Sequence, residues 1–192
     1  MRKFILLFIF FSNKLISQQN SYEINAVFDI NNSIISLDQK LTYVNNSGKE
    51  LNYLILNDWA HSYSSSSSNL GKRLSEEYIL SFQRSTKNQR GYTEIRTIYS
   101  NNDLLSYSRL PNQIDLIKVE LREPLKTNET IELNILYSVK IPVNDFTGYG
   151  ISKSKDINVR DWYLTFSTFE NGNWKKESNL DLNDLTHDPA YF

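Results

Sequence analysis

Tyr22-Glu23-Ile24-Asn25-Ala26-Val27-Phe28-Asp29-Ile30, followed by Asn31-Asn32 and then Ser33 to Asn45, decides the fold of this chain. Tyr22, Ile24, Ala26, Phe28 and Ile30 share one face and Glu23, Asn25 and Asp29 the other, which is the period of two of a half-buried strand. Ile35, Leu37, Leu41 and Tyr43 continue the alternation after Asn31-Asn32. Asparagine tolerates the left-handed backbone of a tight turn, so the two runs are expected to form a β-hairpin.

Outward from this hairpin the same grammar repeats. Asn46-Ser47-Gly48-Lys49 supplies a turn and Leu51 to Leu56 a strand. Further strands are expected at Tyr92 to Ile98, Ile114 to Leu121 and Thr130 to Ile141, with turns at Asn101-Asn102 and at Glu123 to Asn128. Arg160 to Ser167 reads as a buried strand, and Tyr163 to Phe169 with the residues around Trp174 as a second hairpin turning at Asn171-Gly172. One substantial helix interrupts the strands. Leu70, Leu74, Tyr78 and Phe82 form its apolar stripe, Ser68 or Asn69 its cap, and Lys72/Glu76 and Arg73/Glu77 its exposed ion pairs. The serine run Ser64 to Ser68 before it has no apolar residue and is expected to be a surface loop. The fold class is therefore mainly β, an antiparallel sandwich with one substantial helix.

Composition bounds the function classes. The 192 residues carry 21 Lys and Arg against 22 Asp and Glu, so no basic excess marks a nucleic-acid binder. Six glycines and four prolines exclude collagen-like and Gly/Pro-rich disordered classes. Arg2-Lys3, the apolar run Phe4 to Phe11 and a small residue at Ser17 have the layout of a secretory signal peptide, residues 1–17, cleaved between Ser17 and Gln18. Asn13 and Lys14 break the apolar run short of a membrane span, so no transmembrane helix is expected after cleavage. An exported chain without cysteine has no disulfides and is held by its core alone.

Motifs for catalysis are sparse. His61 and His187 are far apart in sequence, there is no His-Glu-x-x-His and no Gly-x-Ser-x-Gly, and Leu185 stands where a calcium loop through Asp181 to Asp188 needs glycine. Glu76-Glu77 are adjacent on the expected helix and point apart, unlike a glycosidase pair. The expectation is no catalytic residue and no metal ligand. Trp59 and Trp174 are the candidates for an aromatic surface that binds a glycan or protein, against the ordinary alternative of tryptophans packed in the core.

Six stretches in order, Leu41 to Ser47, Leu56 to Ala60, Lys72 to Tyr78, Arg90 to Ile95, Asp145 to Gly150 and Arg160 to Tyr163, resemble the N-terminal β-domain of bacterial M1-family (gluzincin) metallo-aminopeptidase-like proteins. The likeness runs from about Tyr22 to Phe192, and rests on order and spacing rather than on one diagnostic motif. It implies a saddle-shaped antiparallel β-domain packed on a thermolysin-like catalytic domain, which carries the zinc ligands His-Glu-x-x-His…Glu and a Gly-x-Met-Glu-Asn motif. Neither motif occurs here, so no zinc ligand or general base transfers to this chain. Thr165 also stands near the position where the family's Arg-x-Trp-Phe/Tyr-x-Pro segment has proline.

The resemblance implies a C-terminally incomplete domain, residues 18–192, of an exported protein in the periplasm, on the cell surface or secreted. No cofactor is expected in this chain, zinc belonging to a full-length parent. The implied partners are the parent's catalytic domain and, through it, peptide substrates, but no nucleic acid. The alternative is a free-standing exported β-sandwich that binds a protein or glycan. A domain severed from its parent is expected to show a large apolar face and an unpaired sheet edge.

Overall fold

The computed structural model describes residues 19–180 and 190–191; the signal-peptide segment, its junction at Ser17-Gln18, and the acidic run with His187 lie outside the described residues. The chain is mainly β, as the alternation requires. In order it forms β1 (Asn20–Asp29), β2 (Ile34–Val44), β3 (Leu51–Asn57), a 3-10 turn (Trp59–Ser64), α1 (Asn69–Glu76) and α2 (Leu80–Gln83). Then follow β4 (Tyr92–Ser100), β5 (Asp103–Leu104), β6 (Tyr107–Leu110), β7 (Gln113–Leu125) and β8 (Thr130–Lys140). Six two-residue strands end it: β9 (Gly150–Ile151), β10 (Ile157–Asn158), β11 (Thr165–Phe166), β12 (Phe169–Glu170), β13 (Asn173–Trp174) and β14 (Ala190–Tyr191).

Two sheets enclose the core. The larger has strand order β14-β1-β2-β8-β4-β5 and the smaller β11-β3-β7-β6, with every pairing antiparallel except β14 on β1. On the larger sheet the alternation becomes cross-strand rows facing inward, such as Tyr22, Leu41 and Leu133, or Phe28, Ile35 and Val139. Leu54, Leu56, Ile117 and Val119 of the smaller sheet pack into the same cluster. The β1–β2 turn has Ser33 at φ 56°, and Asn171 and Gly172 are both left-handed between β12 and β13, the conformation that a two-residue hairpin loop demands.

The helical region departs from the single expected helix. Ser68 caps α1 by accepting from Gly71 N at 3.0 Å, but the helix ends at Glu76 and Tyr78 turns left-handed, φ 61°. Ile79 N donates to Leu74 O at 2.8 Å and Tyr78 N to Ser75 O at 3.1 Å, the paired bonds of a Schellman stop. Tyr78 thereby leaves the apolar stripe and is 87% exposed, while Ile79 packs on Tyr63, Leu70, Leu74, Phe82, Phe146 and Tyr149, a second small core. Capping the last carbonyls while burying the branched Ile79 beats continuing the stripe through Tyr78. Glycine fits this position without the Cβ clash, so Tyr78→Gly is expected to stabilise the fold by about 1 kcal/mol. Unchanged or lower stability in urea unfolding would show that the tyrosine ring contributes to the fold.

Two further expectations are corrected. The serine run is not simply surface: Ser68 is buried and also donates to Ser62 O at 2.7 Å. The loop backbone crosses α1 so closely that a Cβ on Gly71 would lie 2.4 Å from Ser66 O, hence the glycine inside a helix. Arg160 to Ser167 contributes only β11 to a sheet, with Asp161 left-handed at φ 50°. Side chains, rather than a neighbouring strand, hold Leu164. Gln39 Nε2 donates to Leu164 O at 2.8 Å, and Leu164 N donates to Tyr137 Oη at 3.1 Å and Gln39 Oε1 at 3.3 Å.

Candidate functional site

The tryptophans proposed as a binding surface are not one. Trp59 is 5% and Trp174 6% exposed, so neither indole offers a face to a ligand. Trp174 packs against Phe169 and Tyr43 with ring centroids 5.1 and 5.7 Å apart. The sandwich needs large apolar surface where β12 and β13 fold back on it, and an indole supplies that surface.

The most concentrated polar chemistry is instead a buried junction beside Trp59. Asp58, at the end of β3, is buried, and its carboxylate is fixed from two directions. Thr93 Oγ1 donates to Oδ1 at 2.6 Å and Arg109 Nη2 to Oδ2 at 2.7 Å. The guanidinium, itself mostly buried, also donates through Nη1 to Ile114 O at 2.7 Å, spanning the β6–β7 hairpin. A buried carboxylate is tolerable only with such a partner.

One 3-10 turn onward, His61 N donates to Asp58 O at 3.0 Å, and His61 Nδ1 accepts from Thr93 N at 3.1 Å. Nδ1 is therefore the unprotonated nitrogen and the ring is the neutral Nε2–H tautomer. Burial, reinforced by the Arg109 charge and opposed by Asp58, lowers its pKa from the usual 6.5 to about 4.

Asp58 N donates to Asp115 O at 2.8 Å, which leads to the second buried carboxylate. Ser178 Oγ donates to Asp115 Oδ1 at 2.9 Å and Asn179 N to Oδ2 at 2.6 Å. Burial pushes the Asp115 carboxyl above its ordinary range despite those bonds. Asn179 Nδ2 returns to Ser62 Oγ at 2.9 Å and Trp59 O at 3.3 Å. The junction thus ties β3, the 3-10 turn, β4, β6, β7 and the segment at 178–179 together.

Chemically it is a clamp. Both oxygens of each carboxylate and His61 Nδ1 are occupied by protein donors. Among the described residues no group of three or more His, Cys, Asp or Glu could hold a metal ion, and no helix is long and apolar enough to cross a membrane. The second core is equally inward-looking: Tyr63 stacks on Tyr149 at 5.0 Å and donates to, or accepts from, Thr147 Oγ1 at 2.7 Å.

The junction makes stability depend on pH. Unfolded His61 takes up a proton below about pH 6.5, whereas the folded ring resists until about pH 4, so acid favours the unfolded chain within this window. The full contribution is present above pH 6.5 and is lost as the pH falls. Between about pH 7 and pH 5 the loss amounts to about 2 kcal/mol. Asp115, with its raised pKa, acts with the opposite sign, favouring the folded state in acid. His61→Gln keeps an acceptor for Thr93 N and isolates the histidine. Urea midpoints at the two pH values should diverge in the parent chain and converge in the variant; equal slopes would refute the assignment.

Sequence reasoning missed Asp58, Asp115, Arg109 and Asn179 as a unit. Asp58 lies within the Leu56 to Ala60 stretch singled out by resemblance, and Thr93 within Arg90 to Ile95. Arg109 and Asn179 carry no local signal, because their roles depend on which strands become neighbours.

An open groove of about 680 Å³ lies along the larger sheet, lined on its outer face by Asn25, Val27, Ser36, Asp38, Arg96 and Leu136. Val27 is 71% and Leu136 45% exposed. No family model matches the chain, and no curated protein matches it.

Proposed function

We propose that this chain is a non-catalytic domain, the N-terminal β-domain of an exported zinc aminopeptidase-like protein. The observation that supports the reading is where three stretches of the resemblance lie. Leu56 to Ala60 and Arg90 to Ile95 supply Asp58 and Thr93 to the buried junction, and Asp145 to Gly150 supplies Phe146 and Tyr149 to the second core. These residues serve the architecture of a support. The parent's chemistry is peptide hydrolysis by zinc-activated water on its other domain. This domain would wall the substrate cleft.

The reading predicts no turnover by the chain itself. Residues 18–192, with and without added zinc, are expected to leave aminoacyl p-nitroanilides unhydrolysed. Zinc-dependent hydrolysis that survives purification and scales with the folded fraction would overturn it. An adjoining coding sequence without a His-Glu-x-x-His segment in any frame would remove its main support.

The outer-face groove favours a second reading, a free-standing exported module that binds a protein partner. Its walls are aliphatic and charged with no exposed aromatic ring, a poor match for stacking a sugar. Partner capture that is lost on Leu136→Asp, with unchanged unfolding, would favour this second reading.

A further inference from the structure

We infer that one end of the sandwich, built from the β1–β2 turn and the loops at 84–91 and 152–156, docks on an anionic lipid bilayer. Backbone contacts gather these segments around the start of β2 and the end of β8. Lys140 pairs with Ile34 on one side and with Tyr92 on the other. Val143 N donates to Gln89 O at 2.9 Å and Ile151 N to Pro142 O at 2.8 Å, which draws in the two loops. β14 joins at the opposite end of β1, on Asn20 and Ser21.

Positive charge is concentrated at this end. Residues 29–33, 84–92, 140–145 and 150–157 carry Arg84, Lys87, Arg90, Lys140, Lys153 and Lys155 against Asp29, Asp145 and Asp156, in a chain whose formal charge is −1. None of these cations forms an ion pair among the described residues. Two of the acids are taken by local donors instead: Asp29 accepts from Asn32 N at 3.1 Å and Nδ2 at 2.7 Å, and Asp156 accepts from the Ser152 and Ser154 hydroxyls. The Lys140 ammonium donates to Asn32 O at 2.6 Å, and the Lys155 charge adds to burial in lowering its pKa. Cations gathered without counter-charges favour an anionic partner.

The apolar residues at this end select a bilayer over an acidic protein or a nucleic acid. Ile30 occupies the β1–β2 turn, where polar residues are usual, is 45% exposed and packs on neither core. Tyr92, beside Lys140 on the outer face, is 42% exposed, and a tyrosine ring suits the headgroup level of a membrane. Lys140, Lys153 and Lys155 are point charges on flexible stems, suited to a diffuse field of headgroups more than to one phosphate. A shallow apolar tip flanked by lysines gives reversible surface attachment. The inference is independent of the peptidase reading.

Vesicle binding tests it, with a site-specific reporter that the absence of cysteine makes simple. Asn31→Cys, in the exposed turn, and Glu50→Cys, exposed beyond the far end of β2, each carry an environment-sensitive fluorophore. The whole chain is used, and the apolar run Phe4 to Phe11 is common to every sample, so the readouts are differences. Vesicles of equal parts phosphatidylglycerol and phosphatidylcholine should shift the emission to the blue at position 31 and leave position 50 unchanged. High salt should reverse the shift, and phosphatidylcholine alone should give none. Lys153→Gln with Lys155→Gln, both exposed, should raise the lipid concentration that gives half the shift at least about tenfold, with unchanged circular dichroism. No shift at position 31, an equal shift at position 50 or on neutral vesicles, or an unaltered double variant would each overturn the proposal. Tighter binding of soluble polyglutamate than of the anionic vesicles would assign the cations to an acidic protein and overturn it as well.

Discussion

Arg109→Met is expected to lower the stability of the fold by about 3–5 kcal/mol, because it leaves the buried Asp58 carboxylate without its counter-charge. Asp58 is 2% exposed and bonded to Arg109 Nη2 at 2.7 Å. Thr93 Oγ1 alone must then carry the charge. For a domain whose total stability is of the order of 5–15 kcal/mol this is a large fraction, readable as a fall of about 1 M or more in the urea midpoint. Adding Asp58→Asn to the variant should recover part of the loss, since the amide needs no cation while its oxygen still accepts from Thr93. The surface pair Arg73–Glu77, at 2.9 Å and partly exposed, provides the contrast. Glu77→Gln is expected to change stability by less than about 0.5 kcal/mol. A loss at Arg109 as small as that would show that water reaches Asp58.

Gln39→Leu is expected to destabilise the domain by about 3 kcal/mol, although it places a hydrophobic residue in a hydrophobic core. Gln39 is fully buried on the inner face of β2, beside Ile24 and Ile135. Its amide acts as a piece of strand, giving to Leu164 O and taking from Leu164 N, while Tyr137 Oη donates to Gln39 Oε1. Leucine leaves Leu164 O and the Tyr137 hydroxyl proton unsatisfied, each at a cost of about 1–3 kcal/mol, and recovers only part by its own burial. Leu164 N keeps Tyr137 Oη as a partner. Adding Tyr137→Phe removes the orphaned hydroxyl but takes the last acceptor from Leu164 N, so the double variant should be no more stable than Gln39→Leu alone. Unfolding curves that place Gln39→Leu at or above the parent chain would refute the account.

Both predictions concern residues that looked unremarkable in the sequence. Gln39 sits at an inward position between Leu37 and Leu41, and the alternation alone would have it replaced by a hydrophobe. Its role exists because Leu164, distant in sequence, passes over it. Arg109 lies on β6, a strand too short and polar to read from its pattern. The long strands β1, β2, β3, β7 and β8 were legible because each has enough residues for a period of two to stand out. The α1 stop was not, because the stripe through Leu70, Leu74 and Tyr78 is a good helix pattern, broken only by what Ile79 gains in the second core.

The candidate binding tryptophans show the same boundary. An indole looks alike in sequence whether it lines a groove or fills a core, and only the folding back of β12 and β13 placed Trp174 against Tyr43. Conversely the outer-face groove comes from residues that read simply as the polar side of a strand.

By itself the sequence determined the class of structure, since alternation of apolar residues, asparagine turns and the serine cap are local properties that act within a few residues. Only the tertiary structure decided which polar groups would be buried and which aromatics would face inward. Those outcomes depend on desolvation by neighbours distant in sequence, and a side chain's own identity does not encode its neighbours.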